Sequence, residues 1–273
     1  MRNFIVTGGN TGIGEAIATQ IADNPDHNVV IVSRSRSKGE AAVKRIRATS
    51  ANSRVELAHG DLGTIKGCHD LADVLLAQMA SIHVLVNNAG IMPLQRELNA
   101  DGIESAFMVN HLAGFILSLR LQERLKENAP ARIVQVGAGL YVLGTVDLTV
   151  LPYGKNFERR LTYASTKMCS LMASLEMARR FAGSGVTVNV VHPGVTPTGL
   201  IKSRRVWDAN PHITGDLADT ARAPVRLACD LEFEGTSGVY FNRFEAEEPN
   251  QACQNKALVD AIWDFSSRLA FSE

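Results

Sequence analysis

The chain has few of the features that mark disulfide-rich, metal-binding or membrane proteins. Its four cysteines form no CxxC pair and lie near no histidine cluster, which indicates reduced thiols rather than a disulfide framework or a zinc site. No apolar run reaches the roughly 18 residues that cross a bilayer. The first residues lead directly into a predicted strand and leave no room for a signal peptide. We therefore expect a cytoplasmic protein without a metal or a membrane anchor.

Neither sign of charge is in excess. Lys plus Arg and Asp plus Glu number 28 each, so nothing in the charge balance favours nucleic acid or an anionic membrane as a partner. Apolar residues make up 45% of the chain, which is ordinary for a globular protein. A length of 273 residues allows two domains, but α/β proteins often reach it as one, and we expect a single domain over 1–273.

Short apolar, β-branched runs alternate with longer segments of helical periodicity. Nearly continuous apolar runs are typical of strands buried on both faces of a parallel sheet. The alternation predicts a single Rossmann-type, doubly wound α/β domain with a mostly seven-stranded parallel sheet flanked by helices, and ligands at the carboxyl ends of its strands. The predicted strands are 4–7, 29–32, 55–58, 84–86, 133–136, 186–191 and 239–241, and the predicted helices are 12–23, 38–50, 64–80, 101–128, 162–183 and 218–230.

A glycine cluster follows the first predicted strand. A dinucleotide diphosphate needs a tight turn, close backbone approach and free N–H groups at a helix start, and Gly8, Gly12 and Gly14 can supply these. The spacing is GxxxGxG rather than GxGxxG, so a purely structural turn is the alternative. The position after the first strand of a βαβ series favours the dinucleotide site.

Basic residues follow the second predicted strand. Enzymes that prefer NAD usually place an acid here to accept from the ribose 2′-hydroxyl, and this chain has Ser33 and Arg34 instead. Arg34, Arg36 and Lys38 cluster just beyond the strand, and guanidinium groups bind phosphate well. The pattern predicts NADP(H), with a solvated basic helix start as the alternative.

Further motifs occur in order along the chain. They are Gly60-Asp61-Leu62, Asn87-Asn88-Ala89-Gly90, Asn110, Tyr163-Ala164-Ser165-Thr166-Lys167 and His192-Pro193-Gly194. Together with the glycine turn, this series resembles the short-chain dehydrogenase/reductase family across nearly the whole chain. The likeness is greatest to the retinol dehydrogenase-like branch, through residues 10–14, 109–112 and 192–195.

The resemblance implies which residues hold the cofactor. Asp61 would contact the adenine, residues 88–90 the adenosine ribose side, and residues 195–198 the nicotinamide amide and the diphosphate. The implied NADP(H) site comprises Gly8, Asn10, Thr11, Gly12, Ile13, Gly14, Ser33, Arg34, Lys38, Asp61, Leu62, Asn88, Ala89, Gly90, Tyr163, Lys167, Pro193, Gly194, Val195 and Thr198.

Tyr163 and Lys167 are the predicted proton-transfer pair. A hydride delivered to a carbonyl carbon leaves negative charge on the oxygen, so the site must donate a proton there. Tyr163 and Lys167 are four residues apart and share a helix face, and a lysine held close lowers a tyrosine pKa. The resemblance implies that Lys167 also holds the nicotinamide ribose and that Asn110 anchors a water. An exposed helix face is the alternative for an isolated pair of this kind.

The sequence departs from the family pattern at Ala138. Most relatives have a serine here that donates a hydrogen bond to the substrate carbonyl, and alanine cannot donate. Three interpretations stay open. Another hydroxyl replaces the serine, from Tyr141, Thr145, Ser165 or the substrate itself. Alternatively the reaction is reduction of a polarised C=C bond, or the protein binds NADPH as a sensor or scaffold.

Two long connections, 140–161 and 195–217, should flank the nicotinamide. Their many apolar residues predict a bulky, largely apolar carbonyl substrate (a ketone, aldehyde or quinone), with packing of some of these residues against the domain as the alternative. The candidate substrate contacts are Ala138, Tyr141, Tyr153 and Leu200, with Ile201, Val206 and Trp207 further along. The resemblance leaves both a monomer and a homodimer open.

Overall fold

The seven apolar runs form the parallel strands β1 to β7 of one sheet, whose spatial order, with an eighth strand at its edge, is β3-β2-β1-β4-β5-β6-β7-β8. The computed structural model describes residues 1–50, 52–200, 213 and 215–271. The strands are β1 Arg2–Thr7, β2 His27–Ser33, β3 Val55–His59, β4 Val84–Asn87, β5 Ala131–Val136, β6 Val186–His192, β7 Tyr240–Asn242 and β8 Glu245–Glu247. The seven parallel strands of the predicted sheet are confirmed.

An eighth strand, β8, extends the sheet beyond the prediction. It pairs antiparallel with β7 through a tight turn in which Arg243 has a φ of 55°. Its sequence, Glu-Ala-Glu, is exposed and has little intrinsic preference for strands, so composition gives no sign of it. The hairpin with β7 forms it.

The helices cover both faces of the sheet. In the described residues they are α1 Gly12–Ala22, α2 Arg36–Ser50, α3 Ile65–Gln78, α4 Ser105–Phe107, α5 Ala113–Arg120, α6 Gln122–Glu127, α7 Arg159–Arg180, α8 Leu217–Cys229 and α9 Lys256–Phe271. None of the described helices is long and apolar enough to cross a membrane.

The predicted helix over 101–128 is interrupted. A π-helical turn at Met108–Leu112 separates α4 from α5, and α6 follows as a separate short segment. A π-turn inserts one residue per turn and is common at functional sites. Asn110 lies in this turn.

Side chains alternate between two hydrophobic cores. On β1, Ile5 belongs to the core beneath α3, α5, α7 and α9, whereas Phe4 and Val6 belong to the core beneath α1, α2 and α8. Both faces of the central strands are therefore buried, which explains their continuous apolar sequences. The molecule is an α/β domain with a doubly wound sheet, as expected. The adjacent strands β1, β4, β5 and β6 all end at the same edge, where the predicted motifs follow.

Candidate active site

The glycine turn forms a cradle at the start of α1. Gly8 and Gly12 have φ values of 65° and 59°, which side chains rarely adopt. A Cβ atom on Gly14 would overlap the Gly8 carbonyl oxygen and Asn88 Nδ2. The Thr11 side chain makes no capping hydrogen bond, so no N-cap side chain occupies the first N–H groups of the helix. This arrangement fits a diphosphate, because free N–H groups at a helix start attract anions.

The other predicted residues of this turn lie where the cradle requires them. Asn10 belongs to the turn, and Ile13 is half-buried in the first turn of α1. Across the cleft after β6, Gly194 has a φ of 103° and Pro193 is buried. A Cβ on Gly12 would lie 3.7 Å from Thr198, so the 193–198 segment reaches the glycine turn.

Thr7 is a residue that the motif analysis did not single out. Its Oγ1 accepts the backbone N–H groups of Asn88 and Ala89 at 2.9 and 3.0 Å, and Asn88 Nδ2 donates to the Thr7 carbonyl at 2.9 Å. These bonds join the ends of β1 and β4, and they explain why a hydroxyl stands just before the glycines. Asn88 and Ala89 therefore shape the ends of β1 and β4, where the cofactor is predicted to bind and which we call the cofactor edge. Gly90 follows them.

Beyond the end of β2, Arg34 and Lys38 are exposed. Neither forms an ion pair with another described residue. The Ser33 hydroxyl bonds the backbone of Ser35 at 2.9 and 3.2 Å, which shapes the turn that carries these two basic side chains. No acid occupies this position, so a phosphate on the ribose would meet positive charge.

Asp61 and Leu62 follow β3 with different exposures. Asp61 is exposed, and its Oδ1 accepts the Gly63 N–H at 2.9 Å. Leu62 is only 8% exposed and packs in the core beneath α3. Its side chain is therefore a core residue, and only its backbone can face a cofactor.

Tyr163 and Lys167 lie buried on α7, at 6% and 4% exposure. Lys167 Nζ donates to the Val136 carbonyl at 2.9 Å, and a Cβ on Gly90 would lie 3.6 Å from Nζ. The ammonium group thus lies between the ends of β4 and β5. Burial lowers the pKa of Lys167 to about 8.

Burial raises the pKa of the Tyr163 phenol above its ordinary value. This is the opposite of the effect expected from a neighbouring lysine, because loss of solvation disfavours the charged phenolate. The phenol therefore keeps its proton at neutral pH. A protonated phenol is the form that a reductase requires as its donor.

Asn110 connects the loop after β4 to α7. Its Oδ1 accepts the Ile91 N–H at 2.7 Å, and its Nδ2 donates to the Ile91 carbonyl and to Thr166 Oγ1, both at 3.0 Å. Thr166 in turn donates to the Tyr163 carbonyl at 2.8 Å. The π-turn thus places Asn110 against the residue that precedes Lys167. Thr166 is a positioning contact that sequence reasoning named without assigning a role.

Ala138 follows β5 in an extended conformation. Two of the three protein hydroxyls considered as replacements for a serine are buried and accept backbone N–H groups. Tyr141 is buried against Tyr240, and its hydroxyl accepts the Asn250 N–H at 3.2 Å. Ser165 Oγ accepts the Thr145 N–H at 3.0 Å. The structure therefore gives Tyr141 and Ser165 roles in holding the 140–161 connection.

The 140–161 connection is anchored through its backbone. The Pro152 carbonyl accepts the Glu104 N–H at 2.7 Å, and the Tyr153 carbonyl accepts Arg96 Nε at 2.8 Å. The Tyr153 side chain itself is 40% exposed. In the second connection Leu200 is half-buried, whereas Ile201, Lys202, Arg204, Arg205, Val206 and Trp207 lie outside the described residues.

Among the described residues, no group of three His, Cys, Asp or Glu side chains could hold a metal ion. The four cysteines are free thiols, and three are buried. Burial raises the pKa of Cys229 to about 11 and that of Cys253 to about 12. Such thiols are protonated at neutral pH and are poor nucleophiles.

Comparisons with known proteins agree with this geometry. The family model for short chain dehydrogenase matches residues 2–209. Human retinol dehydrogenase 12 is 34% identical over 269 residues, covering 97% of this chain and 85% of that protein. Human retinol dehydrogenase 13 is 31% identical over 281 residues, covering 98% and 84%.

Solved structures show the same fold. An uncharacterised protein from Mycobacterium paratuberculosis superposes with a TM-score of 0.80 at 26% identity, covering 99% of this chain and 93% of that one. A short chain dehydrogenase from Burkholderia cenocepacia in complex with NADP has a TM-score of 0.72 at 25% identity, covering 89% and 96%. The chain belongs to the short-chain dehydrogenase/reductase family, within its retinol dehydrogenase-like branch, and is an oxidoreductase of that type.

Proposed function

We propose that the chain is an NADPH-dependent reductase of bulky, largely apolar aldehydes, ketones or quinones. The observation that carries this proposal is the buried Tyr163–Lys167 pair at the sheet edge where the glycine cradle opens. When bound, NADPH supplies the hydride. Gly8, Gly12 and the start of α1 would hold its diphosphate, with Arg34 against the ribose phosphate.

Side chains of the protein itself carry out the proton transfer. The Tyr163 phenol, kept protonated by burial, donates to the carbonyl oxygen as negative charge develops there. Lys167 then lies near the resulting phenolate and stabilises it. Asn110 and Thr166 hold the start of α7 in place through their hydrogen bond. A cytoplasmic location and a homodimer stay predictions.

Separate observations support NADPH as the cofactor and an apolar compound as the substrate. No acid follows β2, two exposed basic side chains do, and the neighbouring structure from Burkholderia cenocepacia is a complex with NADP. The curated relatives are retinol dehydrogenases, which makes all-trans-retinal a suitable first probe. The exposed apolar residues of the 140–161 connection fit a substrate of that character.

The test is NADPH oxidation with all-trans-retinal, decanal and 9,10-phenanthrenequinone. Tyr163→Phe should lower kcat by about 10²–10⁴-fold, the usual contribution of a general acid, while the NADPH Kd stays within about threefold. The matched control is Tyr240→Phe, a core tyrosine on β7, which should retain turnover. If Tyr163→Phe kept wild-type kcat, the assigned mechanism would be refuted.

Reduction of a C=C bond is the second candidate. It is favoured by Ala138, since such a reaction does not need the missing donor. Cinnamaldehyde separates the two reactions, because C=O reduction yields the allylic alcohol and C=C reduction yields the saturated aldehyde. Tight NADPH binding without turnover of any probe would instead indicate a binding protein.

A further inference from the structure

The last residue of β6, His192, has no part in the mechanism above. Val136 of β5 pairs with Val191, and Gly137 donates its N–H to the Val191 carbonyl at 2.7 Å. Val190 packs in the core beneath α7, and Val191 packs in the opposite core. Because side chains alternate along a strand, the His192 imidazole projects on the α7 side, the side of Tyr163 and Lys167.

The imidazole lies against the backbone that follows Ala138. A Cβ on Gly139 would come within 3.2 Å of His192 Nε2 and Cδ2, so the glycine leaves room for the ring. The other ring nitrogen, Nδ1, is buried and has no hydrogen-bond partner among the described residues. Buried polar atoms in native proteins are nearly always paired, so this atom calls for a partner that the described part of the chain does not provide.

The electrostatic surroundings keep the ring neutral. Burial lowers the pKa of His192 to about 4, with Glu247 opposing the shift and Arg243 and Lys167 adding to it. A neutral imidazole still carries one N–H and can donate it. It can do so beside Lys167 without placing a second positive charge in the site.

We propose that the His192 imidazole takes the place of the missing serine and donates a hydrogen bond to the substrate carbonyl oxygen beside Tyr163. This inference rests on the proposed carbonyl reduction. The hydride forms the new C–H bond, the π pair of C=O moves to oxygen, and that oxygen takes the Tyr163 proton. His192 keeps its own proton and only stabilises the charge that develops on oxygen.

The experiment uses four variants with NADPH and whichever carbonyl probe the wild type reduces. They are His192→Ala, His192→Gln, Ala138→Ser and the double variant His192→Ala/Ala138→Ser. His192→Ala should lower kcat by about 10²–10³-fold, the usual cost of one lost oxyanion donor. The NADPH Kd and the melting temperature, measured alongside, separate this effect from a folding defect.

Rescue of kcat in the double variant distinguishes a hydrogen-bond donor at His192 from a residue that only packs there. In the double variant the serine hydroxyl should restore kcat at least about tenfold over His192→Ala, whereas the same substitution in the wild-type background, where His192 already donates, should raise kcat by less than that factor. The amide of His192→Gln can still donate and should keep more activity than His192→Ala. A purely structural role would give neither the rescue nor this order.

The inference is overturned if His192→Ala keeps kcat within about threefold of wild type. It is equally overturned if activity falls together with NADPH affinity and Ala138→Ser restores nothing. Turnover that depends on Tyr163 but not on His192 refutes this inference alone. If the wild type reduces no carbonyl probe, the proposed function fails and the inference fails with it.

Discussion

The proposed cofactor edge and the proposed substrate side of the cleft are built in different ways. Around β1 and β4, backbone geometry sets the site: positive φ at Gly8, a close approach at Gly14 and the bonds between Thr7 and Asn88. The 140–161 connection is anchored mainly through backbone carbonyls, and Tyr153 presents an exposed side chain. Rigid strand ends suit a constant cofactor, and a loop suits a substrate that differs among relatives.

This difference predicts how substitutions behave. A change at the cofactor edge should affect every substrate equally, because it alters a component that all turnovers share. A change in the 140–161 connection should alter the preference between substrates and leave NADPH binding intact. Each experiment below changes one position in one of the two regions and compares it with a control substitution elsewhere.

The largest effect should come from Gly14→Ala. The added methyl would overlap the Gly8 carbonyl and Asn88, so the cradle must shift, and displacements of this size cost roughly 10²-fold in activity. We expect NADPH affinity to fall by a similar factor, measured by titration. In the second connection no atom of a described residue lies within 4 Å of a Cβ on Gly199, so Gly199→Ala should leave the free energy of unfolding within about 0.5 kcal/mol. If Gly199→Ala lowered NADPH affinity as much as Gly14→Ala, the contrast between the two regions would be contradicted.

A smaller effect is expected for Arg34→Ala. Loss of one charged hydrogen bond to phosphate is worth about 1.5 kcal/mol, so KM for NADPH should rise about tenfold while KM for NADH changes little. The matched control is Lys44→Ala, which removes the same charge from an exposed position on α2. A parallel rise in both KM values would remove the basis for the NADP(H) assignment.

The smallest effect should come from Tyr153→Ala. Removing a partly exposed ring costs about 1 kcal/mol of apolar contact with a bulky substrate, or about fivefold in kcat/KM. We expect that loss for all-trans-retinal and little change for propanal, with the NADPH Kd unaltered. Val74→Ala, a half-exposed residue on α3, serves as the control. A uniform loss for both aldehydes would place Tyr153 outside substrate selection.

Most of the fold could be predicted from sequence because buried parallel strands leave continuous apolar runs. The runs at 4–7, 29–32 and 84–86 each lie within an observed strand. The interruption of the 101–128 helix could not be predicted, since the π-turn brings Asn110 to Thr166 by a tertiary hydrogen bond. The eighth strand could not be predicted for a similar reason, because it forms by pairing with β7 and not through its own composition.

The candidate site divides in the same way. Local chemistry revealed the glycine turn and the helical spacing of Tyr163 and Lys167, since both depend on neighbours in sequence. Thr7 could not be assigned from its neighbours, because its bonds reach residues some eighty positions away. The hydrogen bond between Tyr141 and Asn250 joins residues 109 positions apart.

The sequence by itself determined the α/β architecture and the family, because these follow from periodicity and from short motifs that act locally, and it predicted the cofactor edge from the same motifs. Only the tertiary structure decided which polar groups are buried. Burial raised the pKa of Tyr163 although a lysine was expected to lower it, and the buried Ser165 hydroxyl accepts the Thr145 N–H. The same packing brought His192 beside Gly139, because adjacent strand ends meet in space whatever their separation along the chain.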